Sequence, residues 1–163
     1  MRSVDRVKAA ADAAGLAMTI REMPASTRTA EDAAASCGVK VAQIVKSIVF
    51  RKAESRTPVL LLVPGANRVD QAAIRAVIGE TLERMDAEEV RDATGFAIGG
   101  VAPLGSLTPL ATFMDADLME FPTIWAAAGA PHAVFETTPQ ALAAATGAAI
   151  VTVRQEAGAV TRE

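Results

Sequence analysis

The sequence predicts an α/β fold of the α+β kind: a single domain over residues 1–163, with a mixed, mostly antiparallel sheet surrounded by short helices. First, helix and strand patterns alternate along the chain with no linker, low-complexity tract or internal repeat between them. Second, 163 residues suit one domain with a sizeable core. Third, residues 58–63 are apolar on both faces, as expected of a strand in the middle of a sheet.

Five helical patterns start at a capping residue or stop at a glycine, and one short helical turn lies between them. A Thr or Asp side chain can accept the free amides at a helix start, and glycine readily adopts the left-handed conformation that ends a helix. The patterns are residues 4–14 before Gly15, Ala30–Cys37 between Thr29 and Gly38, the turn at 41–44, residues 70–78 before Gly79, a helix from the capping pair Asp86 and Glu89 to Gly95, and a helix opened by Thr138 and Pro139.

Short runs of branched and aromatic residues between these helices predict the strands. Runs of this length bounded by turn residues are typical of strands in a compact sheet. The predicted strands are residues 16–21, 46–52, 58–63, 110–114, 124–128, 133–136 and 149–154, and residues 96–105 form the least regular stretch.

Charge is distributed unevenly along the chain. The net charge of −3 argues against a protein that coats nucleic acid. Residues 38–75 nevertheless carry seven bases against two acids, and residues 76–120 carry nine acids against two bases. This asymmetry permits a local contact with an anion on one side, or it reflects solvated faces with no partner.

Composition narrows the location and the chemistry. No apolar stretch approaches the length of a membrane span or of a signal-peptide core, so we expect a cytoplasmic protein without a membrane partner. One cysteine, Cys37, and one histidine, His132, rule out an intrachain disulfide and a Cys-cluster metal site. We expect no metal and no cofactor. Cys37 fits a small buried hydrophobe better than a nucleophile.

The usual catalytic motifs are missing. The chain has no Gly-x-Ser-x-Gly elbow, Walker loop, Gly-x-Gly-x-x-Gly turn, His-Glu-x-x-His pair or Cys-x-x-Cys pair. A catalytic triad, a zinc protease and a dinucleotide enzyme are therefore disfavoured.

Two features remain as site candidates. Lys46 is the only charge in the apolar run 41–50, where an ammonium must snorkel, find a counter-charge or bind a substrate. The loop Gly99-Gly100-Val101-Ala102-Pro103 can bring backbone N–H groups close to an oxygen, which is how an oxyanion site is made without side chains. An edge-strand lysine and an ordinary turn are the alternatives.

The order of these features resembles the YbaK/EbsC family, which includes the editing domain inserted in bacterial prolyl-tRNA synthetases. The likeness extends over residues 27–153. The matching motifs are Thr29-Ala30-Glu31-Asp32-Ala33-Ala34 with Gly38, Gln43 to Phe50 around Lys46, Leu60 to Asp70, Thr94-Gly95, Gly99 to Gly105, Asp115 and Ala128-Gly129.

The resemblance implies a free-standing enzyme that hydrolyses the ester of a mischarged tRNA, most plausibly tRNA(Pro) carrying Ala or Cys. It implies that Lys46 holds the terminal adenosine or phosphate and that the amides of Gly99 to Pro103 hold the aminoacyl carbonyl or a ribose hydroxyl. Water, activated by the tRNA's own 2′-hydroxyl, would attack. The implied partner is the 3′ acceptor end of tRNA, with prolyl-tRNA synthetase as a candidate second partner and no DNA. A non-catalytic tRNA- or synthetase-binding module and a hydrolase of small aminoacyl esters stay open.

Five positions in or near these motifs are candidate substrate contacts. Thr29 opens the first motif helix, and Ser47 follows the key lysine, where it is a candidate for choosing the side chain in the pocket. Asp115 either orients the glycine loop or, as we favour, ends a strand. Gly129 belongs to the late motif. His132 either corresponds to a histidine of the editing-domain branch or is a turn residue with no role.

Overall fold

A computed structural model describes residues 2–24 and 29–152 of the chain. Its strands form two sheets. The three-stranded antiparallel sheet has the order β1-β7-β6, and the five-stranded mixed sheet has the order β4-β2-β3-β5-β8. The strands are β1 Ile20–Glu22, β2 Val45–Lys52, β3 Pro58–Pro64, β4 Leu82–Arg84, β5 Ala111–Asp115, β6 Ile124–Ala130, β7 Ala133–Thr137 and β8 Ala149–Val151.

Five helices pack around these sheets, and two short 3-10 helices lie in the connections, one between α2 and β2 and one between β5 and β6. They are α1 Ser3–Ala13, α2 Ala30–Cys37, α3 Gln71–Ile78, α4 Ala87–Thr94 and α5 Pro139–Thr146, with 3-10 turns at Val41–Gln43 and Ala116–Glu120. The predicted caps of α2 and α4 are confirmed. Thr29 accepts from the amide of Asp32 at 3.0 Å, and Asp86 and Glu89 bond reciprocally at 2.8 and 3.1 Å.

Strand β3 is the centre of the mixed sheet, as its apolar faces predict. Val59, Leu61 and Val63 pack into a cluster that includes Ile74 of α3. Leu60 and Leu62 point to the opposite face and join the main core. Burying such side chains contributes about 1.5–3 kcal/mol each, so this strand anchors both layers. The adjacent strand β2, paired antiparallel with β3, is thereby held firmly in register.

The predicted fold class is confirmed, with four pairings antiparallel and two parallel. The expectation of one sheet is wrong, because the strands divide into two sheets that meet at a parallel bridge between Ile44 and Trp125. The bridge brings the start of β2 beside β6. That one domain spans residues 1–163 stays a prediction.

Three details of the predicted elements differ. The strand expected at 16–21 is confined to Ile20–Glu22, because the amide of Leu16 bonds to the carbonyl of Ala11 and completes the end of α1. Strand β4 and the 3-10 turn Ala116–Glu120 were not predicted, since both are too short to show a period. Of the last predicted strand, Ala149–Val151 is confirmed and residues 153–154 lie outside the described part.

Candidate active site

A cavity of about 240 Å³ opens where the two sheets meet. Helix α2, the start of β2, the glycine loop and the first residues of β6 form its walls. Its lining is mostly apolar, from Ala33, Ile44, Val101, Trp125 and Val134. The side chains of Thr29, Lys46 and Ser47 and the backbone of Gly99 supply polar groups. Lys46 and the loop, 53 residues apart in the sequence, are therefore brought together.

Lys46 is held by a backbone carbonyl. Its Nζ donates to the carbonyl oxygen of Asn67 at 2.6 Å. Burial lowers the pKa of the Lys46 ammonium below its usual value of 10.5, while Glu31 raises it and Arg68 lowers it further. Within the described residues no carboxylate forms an ion pair with Lys46. The ammonium is thus a charge that an anionic or electron-rich oxygen would stabilise.

Asn67 is itself fixed by two carboxylates. Its Nδ2 donates to Asp115 at 3.1 Å and to Asp117 at 2.8 Å. Asp115 is only 1% exposed and accepts the amide of Asp117 at 2.9 Å, which caps the 3-10 turn after β5. Asp115 therefore ends strand β5, as we favoured, and is connected to Lys46 through Asn67. That Asp115 orients the glycine loop or contacts the substrate stays a prediction.

Two buried polar atoms of the cavity walls have no hydrogen-bond partner among the described residues. They are the hydroxyl of Ser47 on β2 and the indole Nε1 of Trp125 on β6. The Arg21 guanidinium covers the Trp125 ring, 5.0 Å from its centroid. An unsatisfied buried donor costs about 1–3 kcal/mol. A ligand that accepts from the indole and bonds the hydroxyl would remove that cost.

Two residues of the glycine loop line the cavity and have amides that are free to donate. The amide of Gly100 bonds to the carbonyl of Ala97 at 2.9 Å and closes a turn in which Gly99 has φ +91°. Across residues 2–24 and 29–152, the amides of Gly99 and Val101 donate to no protein group. Gly99 and Val101 both line the cavity. Within the loop, these two amides are therefore the candidates for donating hydrogen bonds to an oxyanion in the cavity.

Gly100 sets how closely the loop approaches β6. A Cβ at this position would lie 2.9 Å from the backbone of Ala130, closer than atoms can pack. Ala102 and Pro103, the last two residues of the loop, are buried, and Pro103 lines a different cavity. These three residues therefore shape the loop without lining the cavity beside Lys46.

The two late candidates lie away from this cavity. Gly129 has φ +101°, and a side chain there would meet the carbonyl of Ser3 at 2.9 Å, so its role is to let α1 pack on β6. His132 is at the hairpin turn after β6, about half exposed, with Nε2 3.4 Å from Glu22. Neither residue lines the cavity. That they contact the substrate stays a prediction for which this geometry gives no support.

Sequence reasoning missed two contributors. Asn67 lies inside a motif that was recognised, but nothing in it shows that its carbonyl meets Lys46. Trp125 is the only tryptophan of the chain, yet its place in an apolar strand is typical of a core residue. Cys37 is the part-buried last residue of α2, and burial raises the pKa of its thiol, which disfavours the nucleophilic thiolate.

The described residues contain neither a metal-binding cluster nor a membrane-spanning helix. There, no group of three or more His, Cys, Asp or Glu side chains is arranged to hold a metal ion. No helix in that part of the chain is long and apolar enough to cross a membrane.

Comparison with known proteins gives a consistent set of matches. The family model of the aminoacyl-tRNA editing domain matches residues 24–145. The uncharacterized protein YwhH of Bacillus subtilis is 32% identical over 123 residues, covering 76% of this chain and 78% of its own. EbsC of Enterococcus faecalis, named as a candidate Cys-tRNA(Pro)/Cys-tRNA(Cys) deacylase, is 24% identical and covers 70% of each chain. A crystal structure described as a candidate trans-editing enzyme for prolyl tRNA synthetase is 44% identical, with a TM-score of 0.89, covering 96% of this chain and 99% of its own.

Proposed function

Because this chain belongs to the aminoacyl-tRNA editing domain family, and within it to the YbaK/EbsC proteins, we propose that it is a free-standing deacylase that hydrolyses mischarged tRNA. One observation carries the proposal: Lys46, Gly99 and Val101 line the same cavity, and in the described part of the chain the amides of Gly99 and Val101 donate to no protein group. A cation that holds the tRNA end beside two donors for an oxyanion is the minimum that ester hydrolysis requires.

The reaction uses water and no protein nucleophile. Water adds to the aminoacyl carbonyl carbon, and its proton passes to solvent or to the tRNA's own 2′-hydroxyl. The amides of Gly99 and Val101 donate to the oxygen that becomes negative. The bond to the 3′-oxygen then breaks, that oxygen takes a proton, and the products are a free amino acid and an uncharged tRNA. Lys46 holds an oxygen of the tRNA end while this occurs.

The proposed substrate is tRNA(Pro) carrying Ala or Cys. A cavity walled by Ala33, Ile44, Trp125 and Val134 suits a small side chain. EbsC is named for cysteine on tRNA(Pro) and tRNA(Cys), and the trans-editing enzyme is named for prolyl tRNA synthetase, which supports tRNA(Pro) as the carrier. One methylene in an apolar pocket is worth only about 1–3 kcal/mol, so discrimination between Ala and Cys will be modest.

The proposed partners and location follow from this substrate. The 3′ acceptor end of tRNA is the partner, and prolyl-tRNA synthetase is a candidate for handing it over. Arg68, which is close enough to Lys46 to lower its pKa, and other bases of residues 38–75 would meet its phosphates. We propose a cytoplasmic protein that needs no cofactor and has neither membrane nor DNA as a partner.

A panel of mischarged tRNAs tests the function. Purified protein should release the amino acid from at least one tRNA(Pro) ester faster than buffer alone, and Lys46→Ala should abolish this. Lys52→Ala, at the far end of the same strand, is the matched control and should keep the activity. Equal rates with and without protein would leave only a binding module. Equal rates on tRNA and on small aminoacyl esters would indicate a general ester hydrolase.

A further inference from the structure

A second cavity lies on the other side of the glycine loop. Its volume is about 210 Å³, and it shares Ser47, Gly99 and Val101 with the first cavity. These three residues are the wall between the two spaces. The free amides of Gly99 and Val101 are therefore at a boundary, with one cavity on each side. A substrate whose reacting bond lies at those amides would extend into both.

The second cavity is apolar with one cation. Val49 and Val90 are buried and form its floor, and Met85 and Ile98 form its sides. Ile98 is 51% exposed, unusual for so large an aliphatic side chain, and directly precedes Gly99. Besides Ser47, the polar side chain in the lining is Arg84, at the end of β4.

Arg84 is not neutralised by the acids around it. Glu83 binds Arg51 and Arg56, and Glu89 binds Arg51 and caps α4. Within the described part of the chain the Arg84 side chain has no ion pair or hydrogen bond. An exposed guanidinium beside an apolar slot can bind a phosphate bidentately while a flat base lies against the aliphatic walls.

We propose that this second cavity binds the terminal nucleoside of the tRNA, with its base between Met85 and Ile98 and its 5′-phosphate on Arg84. The assignment rests on the proposed function and deepens it. The aminoacyl group would occupy the first cavity, the ester would lie at Gly99 and Val101, and Lys46 would bond an oxygen near the ester. Arg84, and not Lys46, is then the partner of the terminal phosphate. The acids of α4 beside Arg84 would confine the contact to that one phosphate.

Binding of AMP and of adenosine tests the assignment without catalysis. Backbone amide shifts of the full chain are followed by NMR during titration with each compound, up to 10 mM. AMP should shift the amides of Met85, Ile98 and Gly99 and bind about tenfold more tightly than adenosine, since a charge-assisted bond to phosphate is worth at least that much. Arg84→Ala should remove the tenfold preference, and Arg84→Lys should restore part of it.

The matched control is Arg75→Ala, which removes the same charge from α3, away from both cavities, and should keep the preference. Preserved shift dispersion shows that each variant is folded. Any of three results would overturn the assignment. AMP does not bind at up to 10 mM, its shifts are confined to Lys46 and Trp125, or the preference for AMP over adenosine survives Arg84→Ala. Loss of deacylation in the tRNA panel together with intact AMP binding would overturn the proposed function and leave the nucleotide site standing.

Discussion

Two cations of strand β2, Lys46 near its start and Arg51 near its end, are held in opposite ways. Arg51 is 20% exposed and bonds to Glu83 and Glu89, and the hydrogen bond that it donates to Glu89 is the main reason that the pKa of Arg51 is raised. Lys46, five residues earlier and on the opposite face, bonds to a neutral carbonyl, and burial lowers its pKa. The charge of Arg51 is used within the protein, whereas the charge of Lys46 is available to a ligand.

The largest expected effect on deacylation comes from removing the charge of Lys46. Lys46→Met should lower kcat/KM for a mischarged tRNA by about 10²-fold or more, as loss of a preorganised electrostatic contact does. It should not lower the Tm, because methionine fills the space and avoids the cost of burying an ammonium. Single-turnover deacylation and a thermal melt measure the two quantities. A Tm drop that accounts for the lost activity would contradict this view of Lys46.

The sequence predicts the ends of helices better than it predicts which residues the two cations contact. The ends of α2 and α4 were predictable because Thr29, Gly38 and the pair Asp86 and Glu89 act within a few residues of themselves. The isolation of Lys46 in an apolar run was likewise a local observation. The partner of each cation was not, since Asn67 and Glu89 lie 21 and 38 residues away and meet β2 only in the folded sheet.

The candidate site shows the same limit. The family motif located the glycine loop. Only the folded turn shows that the amide of Gly100 donates to the carbonyl of Ala97, whereas the amides of Gly99 and Val101 stay free within the described residues. Gly129 and His132 were grouped with the site because they belong to, or follow, a matching motif. The close packing of β6 against α1, and not a substrate contact, accounts for the glycine at position 129. A conserved order of motifs thus predicts which loops meet, and not which atoms face the ligand.

A tenfold effect is expected when the support of Lys46 is loosened. Asn67→Ala keeps the carbonyl that accepts from Lys46 but removes the amide that ties it to Asp115 and Asp117. We expect kcat/KM to fall about tenfold, mainly in kcat, with some loss of stability because a buried carboxylate loses a donor. Steady-state kinetics measure the split. Asp70→Ala, which removes the nearby cap of α3, is the control that should destabilise without changing kcat.

A several-fold change in kcat/KM with pH is expected from the titration of Lys46. The protonated form of Lys46 is the one that binds an oxygen, and its lowered pKa means that the proton leaves at a lower pH than from an ordinary lysine. Hence kcat/KM, corrected for base hydrolysis of the ester, should decline as the pH rises towards 10. Lys46→Arg should keep whatever activity it has through that range. A parallel decline in both proteins would assign the titration to another group.

The smallest effect on activity is expected at the paired cation. Arg51→Met should leave kcat/KM within about twofold, because Arg51 lines neither cavity and its charge is already bound by Glu83 and Glu89. The Tm should fall instead, and the difference from the parent should narrow in 1 M NaCl, where exposed ion pairs are screened. If Arg51→Met impaired deacylation as strongly as Lys46→Met, both cations would serve the substrate. The distinction between a charge used in folding and one kept for a ligand would then be lost.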